Sequence, residues 1–331
     1  MPYKKRFWSI VSDIDSIVEG LDNHPDHSKI IRQQTINYMI AEANKTSAKI
    51  EADFSFKTDK SKKATYTSLF DSWVVLNKDI VDGKKNNLNS SYTHYILQKL
   101  ATIIEPNENS HFGYRNELAK IGSSYKDVES IESKMDNLLF NLNSPSHHPV
   151  FNAIDAHLEF INIHPFKDGN GRLSRLIQNY FLVDQSYTPS IISSDFRKDY
   201  LKLVEAARES REQGLSSRFN QNKKESDFFS FIAESILESS KSLEEKLSKT
   251  KFFQINFSNS DVKLLNKYIN CMKSYFRSKK MSDVKVNIVN SDGKVRDHVR
   301  VKGNIDRIAL KSLLEVVTKK HNNITYRVTK L

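Results

Sequence analysis

Apolar positions recur along most of this chain at the three- and four-residue spacing of a helix with one buried face. In KIIRQQTINYMIAEANKTSAKIE (29–51), the small or apolar residues Ile36, Ile40, Ala43, Ser47 and Ile50 follow that rhythm with no proline to interrupt it. The same period predicts helices in YTSLFDSWVVLNKDIV (66–81), SSYTHYILQKLATII (90–104), VESIESKMDNLLFNLN (128–143) and VFNAIDAHLEFINI (150–163). It continues through RLSRLIQNYFLVDQ (172–185), DFRKDYLKLVEAARES (195–210) and SDFFSFIAESILESSKSLEEKL (226–247). PNENSHFGYRNE (106–117), with its proline, glycine and asparagines, reads as a loop or hairpin. After residue 251 the rhythm changes. A helix-like DVKLLNKYINCMKSYFRSKK precedes SDVKVNIVNSDGKVRDHVRVKG, which alternates apolar and polar around SDG as a β-hairpin does. IDRIALKSLLEVVTKK then reads as a helix and NITYRVTKL as a strand. The fold class expected is mainly α, with a small C-terminal α+β appendage.

Charge sharpens that division. The chain of 331 residues has a formal net charge of +11. Residues 251–331 hold 18 Lys+Arg against 6 Asp+Glu, whereas the first 250 are almost balanced at 33 against 34. The regions expected are a helical N-terminal one (1–88), a core (89–215), a helical extension (216–250) and a basic module (251–331). The basic module suits nucleic acid or an acidic partner. With 38% hydrophobic residues the chain can bury a core. No apolar run approaches the ~18 residues of a membrane span, and the N-terminus lacks the pattern of a signal peptide. A single cysteine, Cys271, rules out an intramolecular disulfide or a cysteine-based zinc site. The expectation is a soluble, cytoplasmic protein without a membrane span.

One stretch does not behave as core. HPFKDGNGRLSR (164–175) packs a histidine, an aspartate, two glycines, an asparagine and two arginines between apolar helices. A helix that begins near Asn170 turns its first N–H groups, and the positive end of its dipole, toward whatever lies before it. Gly169 and Gly171 let an anion approach the backbone. Arg172 and Arg175, one turn apart, reach the same side. Asp168 is a hard oxygen ligand suited to Mg²⁺, and His164 is a candidate general base. Base, cation ligand, anion nest and two guanidinium groups together suit transfer of a phosphate-linked group.

This stretch resembles the signature HxFx[D/E]GNGRxxR of the Fic (filamentation induced by cyclic AMP) domain family. His164, Phe166, Asp168, Gly169, Asn170, Gly171, Arg172 and Arg175 meet every fixed position. The resemblance covers roughly 90–210 and implies an all-helical core that moves AMP from ATP to a Ser, Thr or Tyr hydroxyl of a target protein. It implies His164 as base, Asp168 as Mg²⁺ ligand and Asn170 as an α-phosphate contact. Gly169 and Gly171 belong to the anion-binding turn, Arg172 and Arg175 hold the triphosphate, and Phe166 anchors the loop. A flap that aligns the target segment belongs in FGYRNELAKIGSSYKDV, and the family suggests homodimers. Members with an N-terminal helical extension often carry an inhibitory [S/T]xxxE[G/N] helix whose glutamate pairs with the second arginine. Two stretches compete for that role. SAKIEA offers Ser47 and Glu51, with Ala52 in place of Gly or Asn. DSIVEG offers Glu19-Gly20, with Asp15 in place of Ser or Thr. Ser47 and Glu51 are the choice here, because they end a long amphipathic helix. The leading reading is a self-inhibited protein adenylyltransferase. The alternatives are a de-adenylylating or other nucleotidyl-transferring Fic enzyme, and a nucleic-acid-binding regulator that uses the helical body as scaffold.

Overall fold

The computed structural model describes residues 2–22, 29–51, 65, 67–78, 92–121, 124–217, 221–249, 251–257, 262–278, 285–288, 298–303, 310, 311, 313–315 and 326–330. The chain divides into two compact units, Met1–Gly20 with Gln33–Lys241, and Ser242–Leu331 with Leu21–Arg32.

The first unit is helical. Its elements are most of α1 (Pro2–Asp22) and of α2 (Lys29–Glu51), α3 (67–78), α4 (His94–Ile104), α5 (Ile131–Asn143), α6 (Pro149–Ile163), α7 (Asn170–Asp184), α8 (Arg197–Glu212) and most of α9 (Lys223–Lys249). A short hairpin, β1 (Ala119–Ile121) and β2 (Ser124–Lys126), stands between α4 and α5. The helices form where the apolar stripe is continuous. α1 buries Phe7, Ile10, Val11, Ile14 and Val18, an i, i+3, i+4, i+7 pattern. α4 starts on Thr93, whose side chain accepts the Ile96 N–H, and α6 starts on Pro149 at its first position. α6 and α7 are buried nearly all round, because neighbouring helices cover them on every side. Phe160, Phe166, Phe181, Phe228 and Phe229 share this core with the apolar faces of α1, α4 and α5.

The second unit alternates strands and helices: β3 (Lys251–Phe257), α10 (Val262–Ser278), β4 (Lys285–Ile288), β5 (His298–Gly303), helical residues at 310, 311 and 313–315, and β6 (Tyr326–Lys330). The strands form one sheet in the order β4–β5–β3–β6, each neighbouring pair antiparallel. Met272 and Phe276 of α10 and Leu310 and Leu314 of the second helix pack with Ile255, Val299 and Val301 in one core. The SDG turn expected at 291–293 lies outside the described residues. Among the described residues no helix is long and apolar enough to cross a membrane.

Candidate active site between α6 and α7

α6 ends on His164, whose backbone adopts a left-handed conformation (φ 53°, ψ 59°) that is sparsely populated by residues other than glycine. Two hydrogen bonds hold it there. Its N–H donates to Phe160 O at 3.0 Å, and its carbonyl accepts Nε of Arg115 at 2.7 Å. The next five residues form the turn into α7. Phe166 is buried against Phe160 and Tyr114. The Asn170 side chain braces the turn, accepting the Phe166 N–H at 3.0 Å and donating to the Phe166 carbonyl at 2.7 Å. Gly169 caps α7 with φ 82°, and a Cβ there would sit 3.1 Å from Cγ2 of Ile104. Only glycine satisfies both conditions.

Around this helix start stand a carboxylate and two guanidinium groups. The Asp168 side chain is exposed, and its Oδ1 accepts the Gly169 N–H. Arg172 is buried, paired with Glu105 and 3.6 Å from Oδ1 of Asp168, and its Nε is buried without a hydrogen-bond partner. Arg175, also buried, donates through Nε to Oγ of Ser47 at 2.9 Å and through Nη2 to the Ser47 carbonyl at 3.1 Å. Its Nη1 donates to the Tyr200 hydroxyl at 3.0 Å. The C-terminal end of α2 is thus joined to the second arginine of α7. Arg197 Nε also donates to the Ile50 carbonyl, tying the same helix end to α8. Glu51 is the last residue of α2, one turn beyond Ser47, and its side chain lies outside the described residues. The competing stretch goes elsewhere. Asp15 of α1 accepts the Tyr187 hydroxyl at 2.9 Å and lies 3.1 Å from Nε2 of His148.

Sequence reasoning passed over several residues that build this site. Arg115 is buried and donates to four main-chain carbonyls: His164, Glu117 (2.6 Å), Lys126 (3.1 Å) and Asp127 (2.9 Å). Its own N–H donates to Pro165 O at 2.9 Å. One side chain therefore links the base of the β1–β2 hairpin to the turn that carries His164. Arg208 donates to the Ile121 carbonyl, and Lys126 reaches Glu212 (3.0 Å) and Asn162 (3.1 Å), so α8 and α6 fix the hairpin from the other side. Asn109 donates to the Asp168 carbonyl at 3.0 Å. Only the proximity of FGYR to a turn-rich stretch hinted at Arg115. Glu105 and Asn109 gave no signal, since tertiary packing alone brings them to the turn, whereas Tyr200, expected from the sequence to pack in the core, is buried there with its hydroxyl on Arg175.

Residues 88–182 match the model of the Fic/DOC family. The chain is 39% identical over 83 residues to the protein adenylyltransferase Fic of Drosophila virilis, and equally to that of Culex quinquefasciatus. Each alignment covers 25% of this chain and only 17% of the relative's length. Among solved structures, a Fic domain containing signaling protein from Bacteroides thetaiotaomicron superposes with a TM-score of 0.57 at 17% identity, over 73% of this chain and 98% of that one. A Fic family protein from Desulfovibrio desulfuricans gives 0.55 at 14% identity, over 91% and 97%. Fic-1 from C. elegans gives 0.53 at 16%, over 74% and 72%. The signature around the α6–α7 turn, the matching family model and the shared helical fold place a Fic/DOC domain at residues 88–182 of this chain.

Proposed function

We propose that the protein is an adenylyltransferase that moves AMP from ATP to a hydroxyl of a target protein, and that the end of α2 restrains it. The observation that carries this reading is the start of α7. A glycine cradle, first-turn N–H groups, and a buried Arg172 whose Nε lacks an acceptor together form a site that a polyphosphate would satisfy. His164, at the other end of the same turn, is the base. It takes the proton of the target hydroxyl as that oxygen attacks the α-phosphorus. The new O–P bond forms while the bond from the α-phosphorus to the bridging oxygen breaks, and pyrophosphate leaves. The α7 dipole, Arg172 and Arg175 face the charge that develops on the phosphates. Asp168, exposed at the turn, would hold Mg²⁺ together with phosphate oxygens, the way this ion is ordinarily bound, and the ion would supply charge neutralisation. The β1–β2 hairpin, pinned by Arg115 to the His164 carbonyl, supports a role in aligning the target segment beside the base.

The test uses ATP labelled on the α- or the γ-phosphate, Mg²⁺ and a lysate, with labelled peptides located by mass spectrometry. Label retained from the α-phosphate alone is expected. His164→Ala should reduce it by about 10²–10⁴-fold while nucleotide affinity changes only a few-fold. Label retained from the γ-phosphate alone, or undiminished transfer by the variant, would overturn the assignment.

A further inference from the structure

The second unit takes no part in the proposed chemistry, yet its composition is as biased as that of the α6–α7 turn. Its chain order is strand, helix, strand, strand, helix, strand. The sheet order β4–β5–β3–β6 places its second, third, first and fourth strands side by side, the split βαβ arrangement. The buried strand residues Ile255, Val299, Val301 and Val328 share one face of the sheet, and both helices pack into the core on that face. Alternate strand positions therefore belong to the opposite face. Arg327, at one of them, is exposed.

Pairing register shows what that opposite face carries. Lys285 pairs with Lys302, which pairs with Phe252. In the next row Asn287, Arg300, Gln254 and Thr329 stand side by side. In the third, His298, Asn256 and Arg327 do. None of the four strands contains an aspartate or glutamate, and neither does α10, whose exposed residues include Lys267, Lys273 and Arg277. A cationic surface that merely keeps a protein soluble ordinarily intersperses both signs.

We infer that this sheet face binds single-stranded RNA. Positive charge without carboxylates suits a phosphodiester backbone. Amide and hydroxyl residues between the cations suit hydrogen bonding to the edges of unpaired bases, and Phe252 on a central strand suits stacking of one base. A duplex hides those base edges in its grooves and is read by a helix or ribbon that enters them, which a four-stranded sheet face does not do. A membrane surface calls for several apolar anchors on the contacting face, and Phe252 is the one apolar residue in these rows. The α10 cations widen the positive field and speed encounter.

The full-length protein should bind a fluorescein-labelled 12-nucleotide uridine RNA by anisotropy, with log affinity falling against log salt. Contacts by the four Lys/Arg of the face set a slope near −3, at about −0.7 per phosphate neutralised. Arg300→Gln with Lys302→Gln should weaken binding at least tenfold and flatten the slope by about 1.4, two contacts' worth. Phe252→Ala should weaken it roughly fivefold or more with the slope unchanged. Should the double variant lose its far-UV circular dichroism, Arg327→Gln on the edge strand carries the same slope test. Absence of RNA binding at 50 mM salt, or affinities unmoved by these variants, would overturn the inference. So would tighter binding to a 12-base-pair duplex, a thymidine DNA 12-mer, phosphatidylserine vesicles or polyglutamate.

Discussion

The arginines of the helical body and the cations of the C-terminal unit show two uses of positive charge. In the body, Arg115, Arg172, Arg175, Arg208 and Arg211 are all buried, and each meets acceptors supplied by the fold. Arg115 takes four main-chain carbonyls, Arg208 takes Glu205 and Glu212, and Arg211 takes Asp155, Glu159 and Glu225. In the second unit, Lys267, Lys273, Arg277 and Arg327 are exposed, and the elements that bear them contain no carboxylate. A buried guanidinium whose partners are fixed positions other groups. Exposed cations without fixed partners recruit something from solution. Near-neutral charge over residues 1–250 and a surplus over 251–331 follow from that division.

Arg211 gives the strongest way to break the comparison. Its guanidinium ties α8 to Asp155 and Glu159 of α6 and to Glu225 of α9, and Glu225 is fully buried. Burial pushes the Glu225 carboxyl up, and Arg211 opposes that rise. Arg211→Met would leave buried carboxylates without their cation, at a cost of about 3–5 kcal/mol. Thermal unfolding of the body should fall by roughly ten degrees or more. The corresponding loss in the second unit, Lys273→Met, should shift unfolding negligibly. Equal small shifts in both would show that burial and pairing do not separate the two classes.

How much of this was legible in the sequence follows from the same division. Helices with a continuous apolar stripe were readable, because burial on one face imposes a local period. α1 carries such a stripe from Phe7 to Val18, inside the region 1–88 expected to be helical. β3 was missed, although Phe253, Ile255 and Phe257 alternate with Gln254 and Asn256. It is the strand that joins β5 to β6, and without it the tail reads as a loose hairpin plus a strand. The α6–α7 turn was readable because its residues are contiguous and their chemistry is unusual. What was not readable is long-range. Arg115 lies 49 residues from the carbonyl it holds at His164, and Ser47 lies 128 residues from Arg175. No local pattern encodes such pairings.

His157 offers a finer test of the buried network. It lies between Gln178 (Oε1 2.5 Å from Nδ1) and the Tyr200 hydroxyl (2.9 Å from Nε2), and that hydroxyl also accepts from Arg175. The pattern is consistent if Nδ1 carries the proton and Nε2 accepts from Tyr200. Burial, with the Arg175 charge as a smaller contribution against the Gln178 hydrogen bond, pushes the His157 pKa down to about 3. The unfolded chain titrates near ~6.5, so between these values it binds more protons than the folded protein. The stability from a neutral His157 is then complete above about 6.5 and is lost progressively as pH falls toward about 3. At pH 5 the loss is about 2 kcal/mol relative to pH 8. His157→Gln should flatten the dependence of unfolding free energy on pH across this window, whatever its effect at pH 8. An unchanged slope would remove His157 from the network.

Arg175 stands between the two classes of cation, and it sharpens the comparison most finely. It is buried and bonded like the structural arginines, yet its partners Ser47 Oγ and Ser47 O come from the end of α2. A purely positioning arginine would gain nothing from losing such partners. An arginine that must turn to a phosphate would. Glu51, one turn beyond Ser47, is the residue whose loss tests the proposed restraint, because the inhibitory signature gives that position the glutamate that pairs with the second arginine. Glu51→Gly is expected to raise labelling from α-labelled ATP by roughly tenfold, the change that about 1.4 kcal/mol of lost restraint produces. Glu19→Gly should leave labelling within twofold, since Asp15 of the same helix faces Tyr187 and His148 rather than Arg175. Activation by Glu19→Gly alone would assign the restraint to α1. No activation by either would place Arg175 with Arg208 and Arg211, as a cation that only holds the fold.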